Sequence, residues 1–156
     1  MCIRDTPYGG QDDLSKKILR HVSGAFVEDP LRVLRVARFA ARYHHLGFKV
    51  ADETMLLMTD ITNSGELEYL SPERVWLETE KALKERSPST YIEILYKCKA
   101  LTKIFPEISR VFDLASEKDK IDGKFLTLSI LNYAAKLDKD CLLYTSPEPT
   151  RRRGIS

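Results

Sequence analysis

Apolar residues recur at helical spacing, three or four positions apart, through most of the chain from residue 28 to residue 137. The alternation of apolar and polar residues that is typical of strands is confined to the short stretch 18–22. Residues 48–50 form a brief extended link. The pattern therefore predicts an all-α fold with at most a remnant of sheet before residue 28.

Capping residues mark the ends of the predicted helices. Asp29 and Pro30 predict the start of a helix that runs to residue 45, because aspartate is a favourable N-cap and proline fits the first helical position. Gly47 predicts its end. The next predicted helix spans 53–61 and buries Met55, Leu56, Met58 and Thr59. Another spans 72–86 and is capped by Ser71, and the segment after Ser87 is predicted to be a helix that buries Tyr91, Ile92, Ile94, Leu95 and Cys98. The remaining predicted helices span 101–105, 106–114 and 125–137.

The helix that follows Pro30 is apolar around most of its circumference. Its polar stripe consists of four arginines, Arg32, Arg35, Arg38 and Arg42. A solvated helix face normally mixes lysine, glutamate and arginine. Guanidinium groups match phosphate oxygens, so the stripe indicates a site for an anionic ligand. The alternative is an ion-pair network with acids such as Glu73, Glu78 or Glu80, and periodicity alone favours that alternative.

Composition narrows the class of protein. The chain has 156 residues, enough for one domain or for parts of two. Its net charge is +2, so any contact with nucleic acid must depend on local basic patches. No run of 18 apolar residues occurs, which makes a membrane role unexpected. The cysteines Cys2, Cys98 and Cys141 form no disulfide framework and have no metal-ligand spacing, which predicts a cytoplasmic location.

Three motifs carry a resemblance to a known family. The segment 28–39, Glu-Asp-Pro-Leu-Arg-Val-Leu-Arg-Val-Ala-Arg-Phe, resembles the neck-helix motif of bacterial tRNA nucleotidyltransferases, the class II CCA-adding enzymes, and of the related poly(A) polymerases. Residues 7–22 resemble the segment that leaves the catalytic head of those enzymes, although Thr6 stands where the family has aspartate. Residues 71–78 resemble a later neck motif. The run 40–48 favours the CCA-adding branch.

The resemblance implies a reaction and a set of ligands. In the family, the tRNA 3′-hydroxyl attacks the α-phosphate of CTP or ATP with the help of Mg²⁺ held by an Asp-x-Asp pair in the head. No such pair precedes the neck helix here, so the chain is expected to be an internal fragment without catalytic or metal-binding residues. The resemblance implies that Asp29 and Arg32 read the incoming base and that Arg35 and Arg38 line the pocket near the triphosphate. It gives Arg74 and Glu78 a structural role.

The expected organisation follows from these matches. Residues 6–27 are the end of an α/β nucleotidyltransferase head, residues 28–86 a neck domain that selects nucleotides and binds RNA, and residues 87–140 the start of a helical body domain. Residues 1–5 and 141–156 resemble translated adaptor sequence. A lone His21 is expected to be structural. Two alternatives stay open: a fragment of a bacterial poly(A) polymerase, and a helical RNA-binding module without chemistry.

Overall fold

A computed structural model describes residues 9–113 and 122–137 of the chain. The adaptor-like ends, Thr6, Pro7 and Tyr8 of the first motif, and most of the polar loop before the last helix lie outside the described residues. Eight α-helices and two short strands occur in the described part. They are α1 (Gly10–Lys16), β1 (Ile18–Leu19), α2 (Leu31–Tyr43), β2 (Lys49–Val50), α3 (Asp52–Asn63), α4 (Pro72–Leu83), α5 (Pro88–Lys97), α6 (Ala100–Ile104), α7 (Pro106–Asp113) and α8 (Gly123–Leu137).

The predicted all-α fold is confirmed, and the sheet is a minor element. Strand β1 pairs in parallel with β2, with Ile18 opposite Lys49 and Leu19 opposite Val50. The predicted strand at 18–22 thus shortens to two residues, and the extended link at 48–50 is its partner. This pairing fixes the N-terminal segment beside the start of α3.

Helix α2 lies at the centre of the molecule and packs chiefly against α4 and α5. Val33, Leu34, Ala37 and Ala41 on α2 are fully buried. Its alanines are short, so the neighbouring helices can approach closely. The hydrophobic core continues through Met58 on α3, and it includes Tyr91, Leu95 and Leu101. The core therefore contains residues from both sides of the predicted boundary at residue 86, and that boundary stays a prediction.

The predicted helix ends are reproduced closely. The Asp29 carboxylate accepts a hydrogen bond from the Leu31 backbone N–H at 3.1 Å, which is the capping role expected of it. After α2 a 3-10 turn leads to Gly47, whose φ of 86° lies in the left-handed region that glycine adopts without strain. At α4, the Ser71 side chain accepts from the Arg74 N–H, and Pro72 occupies the first helical turn.

The predicted buried face of α3 is partly wrong. Leu56 is 68 % exposed, and Met55 and Thr59 are only half-buried. The buried residues are Thr54, Met58, Ile61 and Thr62. These positions follow the spacing i, i+4, i+7 and i+8 of a single helical face, whereas the prediction grouped adjacent positions that point in different directions. Helix α4 also ends three residues earlier than predicted, at Leu83.

Helices α5 to α8 form the second half of the described chain. All the residues predicted to point inward from the α5 segment are buried. Helix α8 begins at Gly123, two residues before the prediction, and contains no buried residue. Its exposed apolar side chains are Phe125, Leu126, Ile130, Tyr133 and Leu137. No helix within the described ranges is long and apolar enough to cross a membrane.

Candidate functional site

Asp29 lies at the entrance to α2 and has two kinds of partner. Its backbone is extended, with φ −130° and ψ 103°, and its carboxylate receives the Leu31 N–H. The Nη2 atom of Arg74, on α4, lies 3.3 Å from Oδ1 and 3.2 Å from Oδ2 of the same carboxylate. The side chain keeps 30 % of its surface exposed. Asp29 is therefore both a helix cap and a held acceptor that solvent or a ligand can still reach.

Arg32 and Arg35 line a cleft of about 320 Å³ beside the start of α2. The Arg32 guanidinium donates through Nη1 to the backbone carbonyl of Ala25. Apolar walls come from Phe26, Val36 and Phe39. The cleft therefore combines guanidinium donors with apolar surface, which is the usual composition of a small-ligand pocket. Asp29 and Arg38, the other two predicted site residues, do not line it.

Arg35 and Arg38 both contact Glu78 on α4. Arg38 Nε lies 2.9 Å from Glu78 Oε2, and Arg35 Nε lies 3.6 Å from Oε1. The 2.9 Å contact lacks hydrogen-bond alignment, so its attraction is mainly electrostatic. Glu78 is only 4 % exposed, and Lys81 lies 3.8 Å from it. Of the acids that could pair with the arginine stripe, Glu78 contacts Arg35 and Arg38, whereas Glu80 pairs with Lys84.

Arg35 and Arg38 differ in the exposed fraction of their side chains. The Arg38 side chain is 17 % exposed and the Arg35 side chain 48 %. Arg35 can therefore turn toward a ligand in the cleft with little rearrangement, since half of its surface is free. Arg38 is largely occupied by a buried carboxylate. The roles predicted for both arginines at the triphosphate remain predictions, and the geometry favours Arg35.

A buried hydroxyl pair lies behind this ion cluster. The Tyr91 hydroxyl on α5 is 3.0 Å from Thr79 Oγ1 on α4. Burial is the main cause that raises the pKa of Tyr91 above its ordinary value of 10.0, and the neighbouring Glu78 acts in the same direction. The Cys98 thiol, also buried, has its pKa raised for the same reason. These groups stay neutral at physiological pH and serve packing.

Sequence reasoning missed the residues that close the cleft from the N-terminal side. Arg20 lines it and forms ion pairs with Asp13 and Glu53. The His21 backbone N–H donates to Thr54 Oγ1 at 3.1 Å, and its Nδ1 lies 2.8 Å from the same oxygen. These contacts fit the structural role expected of His21. They depend on the β1–β2 pairing, and two-residue strands give no sequence signal strong enough to predict it.

The described ranges contain no group of three or more histidine, cysteine, aspartate or glutamate side chains that could hold a metal ion.

The contacts of Arg74 and Glu78 fit the structural role expected of them, since each contacts a predicted site residue of α2 across the interface with α4. The arrangement can therefore present an acceptor at Asp29 and donors at Arg32 and Arg35. These donors and this acceptor are complementary to the polar groups of a ligand.

Three comparisons identify relatives. The sequence family described as the probable RNA and SrmB-binding site of polymerase A matches residues 47–112. The multifunctional CCA protein of Shewanella frigidimarina is 53 % identical over 134 residues, which cover 84 % of this chain and 32 % of the relative. The chain therefore spans about a third of the length of that curated relative.

Solved structures agree. A tRNA nucleotidyltransferase complexed with a primer tRNA and an incoming ATP analog is 30 % identical, with a TM-score of 0.57, and the match covers 80 % of this chain and 40 % of that one. A CCA-adding enzyme in complex with CTP is 25 % identical, with a TM-score of 0.58, over 80 % of this chain and 32 % of that one. Sequence and fold thus point to the same group of proteins.

Proposed function

We propose that the chain belongs to the family of tRNA nucleotidyltransferases and poly(A) polymerases, and that it is the nucleotide-selecting neck and the first part of the body of a CCA-adding enzyme. Such an enzyme adds C, C and A to the 3′ end of tRNA, with CTP and ATP as substrates. The observation that carries the proposal is the start of α2, where Asp29 is held by Arg74 next to the cleft lined by Arg32 and Arg35.

The chemistry of Asp29 and Arg32 explains how two bases could be chosen from four. An ionised aspartate only accepts hydrogen bonds, and arginine only donates them. Cytosine and adenine both present an amino donor next to a ring-nitrogen acceptor, so this pair complements both. Uracil and guanine present a carbonyl where Asp29 requires a donor. The unsatisfied buried groups then cost about 1–3 kcal/mol, which separates the two classes of base.

The remaining site residues would bind the rest of the nucleotide. Arg35 and Arg38 continue the same helix face, and we assign them to the triphosphate. The tRNA 3′-oxygen would form the new bond to the α-phosphate as its proton is released, and the bond between the α- and β-phosphates would break so that diphosphate leaves. The catalytic head of the complete enzyme would hold Mg²⁺, which would supply stabilisation of the charge on the phosphates. The single Asp-x-Asp spacing in this chain, Asp138 and Asp140, follows α8, lies outside the described residues and is not where the family places its metal site.

The proposal includes the domain organisation. Residues 6–27 belong to the end of the head, residues 28–86 to the neck and residues 87–140 to the body. The parallel strands β1 and β2 pair across the proposed boundary at residue 27 and so hold the head-like segment against the neck. The cytoplasmic location predicted from the cysteine pattern is also part of the proposal.

A chimaera tests the function. Residues 6–140 replace the corresponding segment of the Shewanella frigidimarina relative, and the product is incubated with tRNA that lacks its CCA end. We expect addition of C, C and A from CTP and ATP, because the relative supplies the head. The unmodified relative is the positive control. A folded chimaera that binds tRNA but adds no nucleotide would contradict the proposal.

The same reaction decides between the two branches of the family. With ATP alone and a tRNA that already ends in CCA, a CCA-adding enzyme stops, whereas a poly(A) polymerase adds many adenosines. The matched family description mentions polymerase A, so this outcome is worth measuring. Long adenosine tails would move the assignment to the polyadenylating branch.

A further inference from the structure

Three aromatic side chains form a continuous row that runs from α2 to the segment after it, with Phe39 exposed and Tyr43 and Phe48 half-buried. The Phe39 and Tyr43 rings are stacked, with centroids 6.3 Å apart and planes at 15°. Tyr43 and Phe48 follow with centroids 5.7 Å apart and planes at 49°. Phe39 and Tyr43 are four residues apart on one helix, and Phe48 joins them after the turn at Gly47. These three residues are called the aromatic row below.

Arginines accompany the row. The Arg38 guanidinium lies 4.8 Å from the centre of the Phe39 ring, and the Arg42 guanidinium lies 5.6 Å from the centre of the Tyr43 ring. Arg42 is exposed and has no ion pair within the described ranges. Its charge is therefore not neutralised by a neighbouring acid. Aromatic faces combined with an unpaired cation such as Arg42 are the composition of surfaces that bind single-stranded nucleic acid.

The two ends of the row have different surroundings. Phe39 lines the cleft that contains Arg32 and Arg35, and it is 36 % exposed. Phe48 lines a cavity of about 430 Å³ whose charged groups are of both signs: Lys49, Lys97, Asp52 and Glu93. The row thus starts at the proposed nucleotide site and leads away from it. The balanced charges of the far cavity give no reason to place a phosphate inside it.

We propose that the aromatic row binds an unpaired segment of RNA, with bases stacked on Phe39 and Tyr43 and a backbone phosphate at Arg42. The inference rests on the proposed function, which supplies the RNA. The segment must be unpaired, because bases inside a duplex do not expose their faces to protein side chains. A row that begins at the nucleotide cleft guides a strand toward the place where the next nucleotide is selected. Neither Tyr43 nor Arg42 belongs to the site that the family motif predicts.

The test measures fluorescence anisotropy of a labelled single-stranded RNA of eight nucleotides, titrated with the full chain. A duplex of the same length and a tRNA are titrated in parallel. Tyr43→Leu removes the ring, and we expect it to weaken single-strand binding at least 5-fold, since one stacked base is worth that much. Tyr43→Phe keeps the ring and should bind like the unchanged chain. Tyr69→Leu is the matched control, because Tyr69 is 90 % exposed and takes part in no ring pair among the residues that the structure describes.

Arg42 gives a second, independent readout. Arg42→Ala should lower the slope of log K against log salt by about 0.7, the value for one phosphate on a single strand. Arg42→Lys should keep the slope. Far-UV circular dichroism checks that each variant is folded.

The outcomes separate the inference from the proposed function. Equal binding by the unchanged chain, Tyr43→Leu and Arg42→Ala, with tRNA still bound, overturns the aromatic row and leaves the proposed function intact. Preference for the duplex over the single strand also overturns it. If the chain binds none of the three RNAs, the inference fails together with the RNA-binding part of the proposed function.

Discussion

Asp29 and Arg74 face each other across the interface between α2 and α4, 45 residues apart in the sequence, with Arg74 Nη2 within 3.3 Å of both carboxylate oxygens. The carboxylate therefore has its direction set from two sides, by the Leu31 N–H and by the guanidinium. Under the proposed function, a base at Asp29 would meet an acceptor whose position is already fixed. Pre-organised acceptors discriminate better, because less ordering is needed when the ligand binds.

This relationship predicts that Arg74→Ala reduces the discrimination between bases and has only a small effect on the free energy of unfolding. The Arg74 side chain is 49 % exposed, and an ion pair at such a site contributes about 0–1 kcal/mol to folding. We expect the ratio of kcat/KM for CTP over UTP to fall in the chimaera, with a small change in the free energy of unfolding. Arg74→Lys should recover part of the ratio, since lysine keeps the charge but loses the planar fork. An equal loss for every nucleotide would contradict this.

Asp29→Ala should weaken the preference for cytosine and adenine itself. Without the carboxylate, uracil and guanine no longer meet an acceptor opposite their carbonyl, so UTP and GTP should be used relatively better and CTP and ATP worse. The cap is lost too, which costs about 0.5–2 kcal/mol of stability. Asp29→Asn separates the two effects, because asparagine also caps a helix and offers both a donor and an acceptor. If Asp29→Ala lowers kcat/KM equally for all four nucleotides, Asp29 is only a cap.

The parts that sequence reasoning predicted are those with strong periodicity or strong caps. The inward residues predicted for the α5 segment, such as Tyr91 and Leu95, repeat at helical spacing over eight positions, from 91 to 98, and all are buried. Ser71 with Pro72 marked the start of α4 correctly. On α3 the apolar residues are more evenly distributed, so several phases fit, and Leu56 was assigned to the wrong face.

The partners of the site residues depend on tertiary contacts. Glu78 was one of three acids that could have paired with the arginine stripe, and only packing of α4 on α2 selects it. The Asp29–Arg74 pair has the same origin. The cleft needs β1 and β2 to pair across 31 positions, Ile18 with Lys49, and each strand has only two residues. Local propensity carries too little information for such long-range pairing.

The chain on its own should not extend tRNA. Its described residues include no cluster of carboxylates for a metal, and the family reaction requires two metal ions. Purified residues 6–140, with tRNA lacking CCA, CTP, ATP and Mg²⁺, should give no labelled product. The chimaera, assayed in parallel, shows that the tRNA and nucleotides are competent. Extension by the chain alone, in a preparation free of host enzyme, would show that a catalytic group has been overlooked.

The buried hydroxyl of Tyr91 predicts how stability changes at high pH. In the unfolded chain the phenol loses its proton near pH 10.0, whereas burial keeps it protonated in the folded chain. Above that pH the unfolded state binds fewer protons, so the free energy of unfolding should fall by up to about 1.4 kcal/mol per pH unit. Tyr91→Phe should flatten this fall and cost about 1 kcal/mol at neutral pH through the lost hydrogen bond. Urea unfolding across this range, with Tyr69→Phe as the exposed control, measures both.

The resemblance implies that Arg35 and Arg38 contribute alike to nucleotide affinity. Their contacts predict that replacing them has different effects on the stability of the fold. Replacement of either by alanine should weaken the binding of all four nucleotides similarly, by about 1.5–3 kcal/mol for a lost charge-assisted hydrogen bond. Arg38→Ala should also destabilise the fold by about 3 kcal/mol, because it leaves the buried Glu78 poorly compensated. Arg35→Ala should cost less than about 1 kcal/mol, since half of that side chain is in solvent.

The double variant Arg38→Met with Glu78→Leu provides the control for this last prediction. It removes the buried charge together with its partner, so most of the stability should return while the nucleotide affinity stays low. Urea unfolding gives the stability, and a binding titration of the chimaera with each nucleotide gives the affinity, with kcat/KM as the measure of its catalytic consequence. If the double variant also recovers nucleotide affinity, Arg38 acts only by stabilising the fold, and the triphosphate role belongs to Arg35 alone.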